Sequence, residues 1–365
     1  MNRFAFLIHL RTFDDIVYIF PRLKPFMPIL RLWQRPILFV FFRLQGRLGF
    51  SIRSKFKVGQ KVEGHILLIW LTGEQMMSIN QAHRIRERVL EATLYAQNKL
   101  KCDVIGLGAL TSSVTDSGEW LTRRPEVKST ITHGDSYSVC VAAEGIQRIA
   151  KLVGLDLAKA TIAIVGATGL IGEGLTYQLA PLVSKELILI GRNSKKLEAV
   201  KSEAERLGNK AIISIDIEDI EEADVVITAT SWPKALVGPE HLKNGAIVYE
   251  VSQPRNVSQL VIKERADVMV VDGAYVSIPD NIKFWWMGRP PHTSFACMSE
   301  TIMQIMEGDF KNHIGKIDSD FVEEIRHRAE KHGFHHAPFT SFNRRISEGL
   351  FEDIAKKIRM RKNPR

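Results

Sequence analysis

Thr161-Ile-Ala-Ile-Val-Gly-Ala-Thr-Gly-Leu-Ile-Gly172 decides how this chain is read. Five strand-forming residues run into glycines at 166, 169 and 172, and residues 173–179 continue as a helix. Such a strand–turn–helix aims backbone N–H groups and the positive end of a helix dipole at a phosphate. Gly166 allows the tight turn, Gly169 lets the backbone approach a pyrophosphate, and Gly172 lets the helix pack on the strand. Ala167, Thr168, Leu170 and Ile171 complete the expected cradle. The spacing is GxxGxxG rather than GxGxxG, so the motif draws its meaning from its context. A glycine turn in an unliganded α/β fold is the competing reading.

Outward from this stretch, apolar runs at 161–165, 186–190, 211–215, 225–228, 247–250 and 268–271 alternate with helical segments. Continuous β-branched runs of this kind predict a parallel sheet covered by helices on both faces. The expected fold class is therefore α/β. A doubly wound parallel-sheet (Rossmann) nucleotide domain accompanies an α+β domain formed by the N-terminal part and the C-terminal helices. The segments are 1–50, basic, aromatic and helical; 51–155, the substrate-side α+β domain; 156–283, the nucleotide domain; and 284–365, a helical part carrying Cys297.

After the second strand of the nucleotide domain come Arg192, Asn193, Ser194 and Lys195, where NAD-specific sites usually place an acid for the ribose hydroxyls. A cation with short hydrogen-bonding neighbours suits a 2′-phosphate, so the expected cofactor is NADPH. A solvated basic turn is the alternative. Thr228, Ala229 and Thr230 follow a further strand and are small enough to let a dinucleotide pass, and Asp272 ends the last strand.

Thr293-Ser-Phe-Ala-Cys-Met-Ser-Glu-Thr-Ile-Met-Gln-Ile-Met-Glu-Gly308 reads as a helix with Thr293 or Ser294 as cap and Gly308 as stop. Cys297 falls in its first turn, where the dipole favours a thiolate. Beside a hydride donor, such a thiol suggests an acyl-thioester intermediate. An inert core cysteine is the bland alternative. His292 could ionise the thiol or protonate a leaving group, or be a loop residue. Glu300 could relay a proton, or sit near the helix start for its dipole alone. Thr111, Ser112 and Asp135 could face the site. Phe284, Trp285, Trp286 and Met287, with Met298, Met303 and Met306, could line an acyl slot or belong to the core.

The chain has 365 residues and a net charge of +9. Three scattered cysteines, Cys102, Cys140 and Cys297, without a CxxC pair, argue against a disulfide framework and a zinc site, and no metal is expected. The early residues are strongly basic, which would attract anions, including headgroups or an acidic carrier protein. No nucleic-acid motif accompanies the charge. No signal peptide and no membrane span is expected, so the protein is placed in the cytoplasm. Phe26 to Phe50 mixes large apolar residues with Arg31, Arg35, Arg43 and Arg47, which suits either peripheral contact at the inner membrane face or a helical hairpin packed on the domain.

Several stretches resemble the cyanobacterial-type long-chain acyl-[acyl-carrier-protein] reductases, which form fatty aldehydes with NADPH. They are Phe4-Ala-Phe-Leu-Ile-His-Leu, Ile105-Gly-Leu-Gly-Ala-Leu-Thr-Ser-Ser, Ile131-Thr-His-Gly-Asp-Ser-Tyr, the glycine loop, Phe295-Ala-Cys-Met-Ser-Glu300 and Lys331-His-Gly-Phe. The resemblance implies that Cys297 is the nucleophile, that Gly166, Gly169 and Gly172 form the cofactor loop, and that Arg192 is its basic post-strand turn. The expected function is NADPH-dependent reduction of a long-chain acyl thioester, on acyl carrier protein or coenzyme A, to a fatty aldehyde. The alternatives are an NADP oxidoreductase of the shikimate-dehydrogenase or glutamyl-tRNA-reductase kind and a membrane-associated NADPH-binding regulator. The basic insertion near Pro25 to Phe50, Pro291-His-Thr-Ser294 and the basic tail depart from the family pattern.

Overall fold

The computed structural model describes residues 1–34, 49–284 and 288–362. Arg35, Arg43, Arg47 and the apolar run 36–42 lie outside the described residues, as do Trp285, Trp286 and Met287. The chain forms two compact units. One comprises Met1–Gly134, Ile278–Lys316 and Arg328–Phe334; the other comprises Asp135–Ser277, Ile317–His327 and His335–Arg365. The units therefore cut across the segments drawn from the sequence: the helix Asp135–Val153 belongs with the nucleotide unit, and residues 284–365 are shared between the two.

In the first unit, β1 (Asn2–Leu10), β2 (Phe50–Val58), β3 (Val62–Thr72), β4 (Val104–Leu107) and β5 (Thr130–Thr132) form a sheet ordered β2-β3-β1-β4-β5. β3, β1, β4 and β5 run parallel, and β2 pairs antiparallel with β3. The start of the chain is thus a strand, which corrects the expectation of helix throughout residues 1–50. Phe4 to Leu10 are all buried, so both faces of β1 are apolar and no alternation marks it as a strand. Short helices follow, Ile16–Ile19 and Met27–Leu32, with Phe13, Ile16 and Met27 forming a small satellite core.

In the second unit, β6 (Thr161–Val165), β7 (Glu186–Ile190), β8 (Ala211–Ser214), β9 (Val225–Thr228), β10 (Ile247–Glu250) and β11 (Met269–Asp272) are all parallel, in the order β11-β10-β9-β6-β7-β8. This is the doubly wound Rossmann order, with the reversal beside β6. The α/β fold class is as expected. The helix Asp135–Val153 lies against Leu170–Leu179: a side chain at Gly174 would stand 2.8 Å from Val139.

Beyond residue 284 the chain is not simply helical. Thr293–Phe295 is a short strand, and between the helices Ser319–His332 and Glu348–Lys362 His335–His336 pairs antiparallel with Tyr275–Ser277 and Thr340–Ser341 with Arg344–Arg345. No described helix is long and apolar enough to cross a membrane.

Candidate functional site

At the head of β6 the three glycines have distinct duties. Gly166 adopts φ +94°, and its N–H and that of Ala167 donate to the Ile190 carbonyl at 2.8 and 3.0 Å. These bonds fasten the turn to β7. A side chain at Gly166 would stand 2.5 Å from the Ala229 carbonyl oxygen and 2.7 Å from Thr230. A side chain at Gly172 would overlap the Gly166 carbonyl, so only glycine lets the helix Leu170–Leu179 sit this close. Gly169 is the helix N-cap residue; a methyl group there would crowd the Gly166 and Ala229 carbonyls at 3.2 and 3.4 Å. Ala167 is buried, and Thr168, Leu170 and Ile171 are partly exposed around the turn. This backbone cradle fits a pyrophosphate, with the helix N–H groups as donors.

Two loops flank it, as the strand order requires. After β7, Arg192, Asn193 and Ser194 are exposed, and Asn193 caps the helix Ser194–Arg206 by accepting from Lys196 N–H at 3.0 Å. Asn193 therefore has a structural duty that the sequence did not disclose. After β9, Thr228 is fully buried and donates to Glu250 at 2.7 Å; Ala229 N–H donates to Val165 at 2.8 Å. Thr230 N–H donates to Ser252 Oγ at 3.0 Å, and its hydroxyl donates to Asn256 Oδ1 at 2.8 Å.

Glu250 is the organising group here, and sequence reasoning missed it. It ends β10 and is buried. One carboxylate oxygen accepts from Thr228 Oγ1 and Ser252 N–H (2.7 and 2.9 Å), the other from Asn256 and Val257 N–H (both 2.7 Å). Burial pushes its pKa up to about 7, against the pull of these donors and of Arg255. Asp272, at the end of β11, is engaged by Arg255, Thr340 and Asn343 N–H at 2.6 to 2.8 Å.

In the first unit, Cys297 is the second residue of the helix Ala296–Glu307, and Gly308 closes it at φ +66°. Neither Thr293 nor Ser294 caps it: both lie in the preceding strand, the N-cap is Phe295, and no side chain accepts there. Thr293 Oγ1 instead donates to the Pro290 carbonyl at 2.6 Å. Cys297 is partly buried, Cys102 and Cys140 are buried, and none is disulfide-bonded. Burial pushes the Cys102 and Cys140 thiols up to about 12, which leaves both protonated and inert.

Gly134, just beyond β5, takes φ +73° and lies against the Cys297 backbone: a methyl group there would be 2.6 Å from its Cα. Glu300, one turn further on, is fully buried and accepts from Thr132 Oγ1 at 3.1 Å. Thr301 Oγ1 donates to the Cys297 carbonyl at 3.2 Å. His133, adjacent to Gly134, is buried, and burial lowers its pKa to about 3, so its ring is neutral. His133 falls in the Ile131–Tyr137 stretch of the family resemblance, and nothing else in the sequence separates it from a core histidine. His292 is solvent-exposed at φ +55°, with Asp280 Oδ1 3.9 Å from its ring. Thr111 and Ser112 are buried in the helix Leu110–Val114. Met298 and Met303 are wholly buried. The described residues contain no cluster of ligands suited to a metal ion.

A doubly wound sheet with a glycine cradle at its switch point is the arrangement of a dinucleotide-binding domain. The shikimate/quinate 5-dehydrogenase family model matches residues 148–274, the stretch that holds the cradle. The chain is 28% identical over 275 residues to the long-chain acyl-[acyl-carrier-protein] reductase of Synechococcus elongatus, covering 71% of this chain and 79% of that one. It is 26% identical over 296 residues to the aminotransferase PigE of a Serratia species, covering 79% of this chain but 34% of that one. It is 25% identical over 166 residues to the glutamyl-tRNA reductase of Methanocaldococcus jannaschii, covering 44% and 40%.

Proposed function

We propose that this chain is an NADPH-dependent reductase that converts a long-chain fatty acyl thioester, on acyl carrier protein or coenzyme A, to a fatty aldehyde through an acyl-enzyme on Cys297. The observation that carries this reading is the place of Cys297. It lies in the first turn of a twelve-residue helix, in a chain whose likeness to a long-chain acyl-[acyl-carrier-protein] reductase spans 71% of its length. The helix dipole favours the thiolate, and Gly134 and Thr301 hold the backbone on either side of it.

Gly166 to Gly172 would hold the pyrophosphate and Arg192, Asn193 and Ser194 the 2′-phosphate end, while the small Thr228, Ala229 and Thr230 let the dinucleotide pass over β9. When bound, NADPH supplies the hydride that takes the acyl carbon to the aldehyde level. The Cys297 thiolate attacks the thioester carbonyl carbon; a new C–S bond forms, the carrier C–S bond breaks, and the carrier thiol leaves with a proton. After reduction the Cys297 C–S bond breaks, releasing the aldehyde and restoring the thiolate. Glu300 and His292 are the groups proposed to exchange these protons.

A second reading draws on the dehydrogenase match, which is confined to residues 148–274. It makes the chain an NADP oxidoreductase of the shikimate-dehydrogenase or glutamyl-tRNA-reductase kind, with Cys297 as packing. Intact-protein mass spectrometry separates the two. Mixing with a long-chain acyl thioester without NADPH is expected to add one acyl mass to the native protein and none to Cys297→Ala, and NADPH is expected to discharge it as aldehyde. A thioester that binds but leaves no adduct overturns the acyl-enzyme.

The proposal extends to a peripheral contact with anionic lipid. Phe20, Phe26, Ile29, Leu32 and Trp33 are exposed, with Arg22 and Lys24 among them. Exposed apolar residues mixed with cations suit a membrane interface. Co-sedimentation with phosphatidylglycerol vesicles but not phosphatidylcholine vesicles is the expected result; equal recovery with neither overturns it.

A further inference from the structure

Trp232 is a large aromatic left 41% exposed in the loop after β9, beside the cradle. Its position is built. The Trp232 N–H donates to Thr230 Oγ1 at 2.9 Å, and its carbonyl accepts from Asn256 Nδ2 at 2.7 Å. Asn256 is wholly buried and is itself tied by its N–H to Glu250. A chain of bonds therefore runs from a buried carboxylate to the main chain of Trp232, which fixes the backbone that carries the exposed indole.

Facing that ring is Arg192, its guanidinium carbon 5.6 Å from the ring centroid. Among the described residues no carboxylate lies within ion-pair distance of Arg192. Its charge is uncompensated, one face is turned to an aromatic quadrupole, and its N–H donors are left for a ligand. The two residues come from loops on opposite sides of the glycine turn: β7 and β9 both neighbour β6. Gly191 lies against Thr168 of that turn, and Gly166 lies against Ala229 and Thr230.

We propose that Trp232 is a specificity-determining residue: its indole is the platform that holds Arg192 in place for the 2′-phosphate of NADPH. This rests on the reading of Arg192 given above and adds to it. A long arginine side chain in water samples many rotamers, and fixing it before the phosphate arrives removes an ordering cost from binding. An exposed guanidinium–indole contact also adds direct attraction, which persists when the phosphate engages the guanidinium edge.

The test is calorimetric titration of the full-length protein with adenosine 2′,5′-bisphosphate and, separately, with 5′-AMP, which lacks the 2′-phosphate. Trp232→Leu is expected to weaken the bisphosphate roughly two- to fivefold, the range of an exposed cation–π contact, and to leave 5′-AMP unchanged. Trp232→Phe is expected to recover most of the loss, because a smaller ring still presents a face. Arg192→Leu is the control on the underlying reading and is expected to weaken the bisphosphate more than tenfold. If Arg192→Leu loses that selectivity and Trp232→Leu does not, the platform is wrong and the NADPH reading stands. If Trp232→Leu weakens both ligands equally, the indole stacks on adenine and the proposal is overturned. If Arg192→Leu has no selective effect, the NADPH assignment itself fails and the platform with it.

Discussion

Gly134 and Cys297 meet backbone to backbone: a methyl group on Gly134 would sit 2.6 Å from the Cys297 Cα and 2.7 Å from its Cβ. The neighbour in that clash is main chain at the start of a helix buried almost all round, which cannot step aside. Gly134 also holds φ +73°, a conformation that costs an L residue about 1–2 kcal/mol. Gly134→Ala is therefore expected to lower stability by at least about 2 kcal/mol and to slow acylation of Cys297 further than the stability loss explains. Chemical denaturation, with the rate of acyl-adduct formation measured well below the transition, checks both. An unchanged rate in the folded variant would mean that the loop after β5 does not set the thiol.

Glu300 is buried with Thr132 Oγ1 as a donor to it. An amide oxygen can accept that bond as well as a carboxylate can. Glu300→Gln, which keeps that acceptor, is thus expected to be more stable than Glu300→Ala, which loses about 2–3 kcal/mol by leaving a cavity and a buried hydroxyl without its acceptor. With the fold kept in Glu300→Gln, any fall in its single-turnover rate reports the proton function proposed for the carboxyl group.

Glu250 accepts four hydrogen bonds, two of them from the N–H groups of Asn256 and Val257 on one oxygen. Glu250→Gln turns an NH2 group toward one such pair of donors, at a cost of about 2–5 kcal/mol. The native residue also has a pH signature. Its pKa rises from 4.5 to about 7 on folding, so between those values the folded state holds the extra proton. This contribution is present below pH 4.5 and is lost as pH rises through 7, to a total of about 3 kcal/mol. Glu250→Gln is expected to lack it. Denaturant unfolding of the two proteins at pH 5 and pH 8 measures the difference.

What could be read in advance follows from how each element is buried. β6, β7, β9 and β10 were legible to the residue, because strands covered on both faces are continuous apolar runs that end in small or polar turns. β1 is buried in the same way, yet lacks the glycine turn and following helix that made β6 unmistakable. Glu250 looked like the polar end of a strand, since most of its partners are backbone N–H groups of a loop that no sequence pattern displays. The pairing of Arg192 with Trp232 depends on the strand order, which brings together loops far apart in the chain. Cys297 could be placed on its helix from spacing alone; that Gly134 braces it required the fold.

The two units should differ in their response to acid, because their buried titratable groups add in one and cancel in the other. In the first unit burial lowers His9 to about 4 and His133 to about 3, both from 6.5. Each depressed histidine contributes stability that is present above pH 6.5 and is lost as the pH falls, since only the unfolded chain takes up the proton. Over the window from 6.5 to 4.5 the two together remove roughly 5 kcal/mol. In the second unit His336, lowered to about 4, acts in that direction, but Glu250, raised to about 7, acts oppositely over the same window. Their slopes nearly offset. Depressed carboxylates such as Glu63 and Asp309 in the first unit and Asp224 in the second enter mainly below about pH 5, where unfolded carboxylates take up protons. On acidification from pH 7 to 4.5, the amides of β1, β3 and β4 are therefore expected to lose hydrogen-exchange protection before those of β6, β9 and β10. Simultaneous loss, or loss in the nucleotide unit first, would show that the buried histidines do not control acid stability.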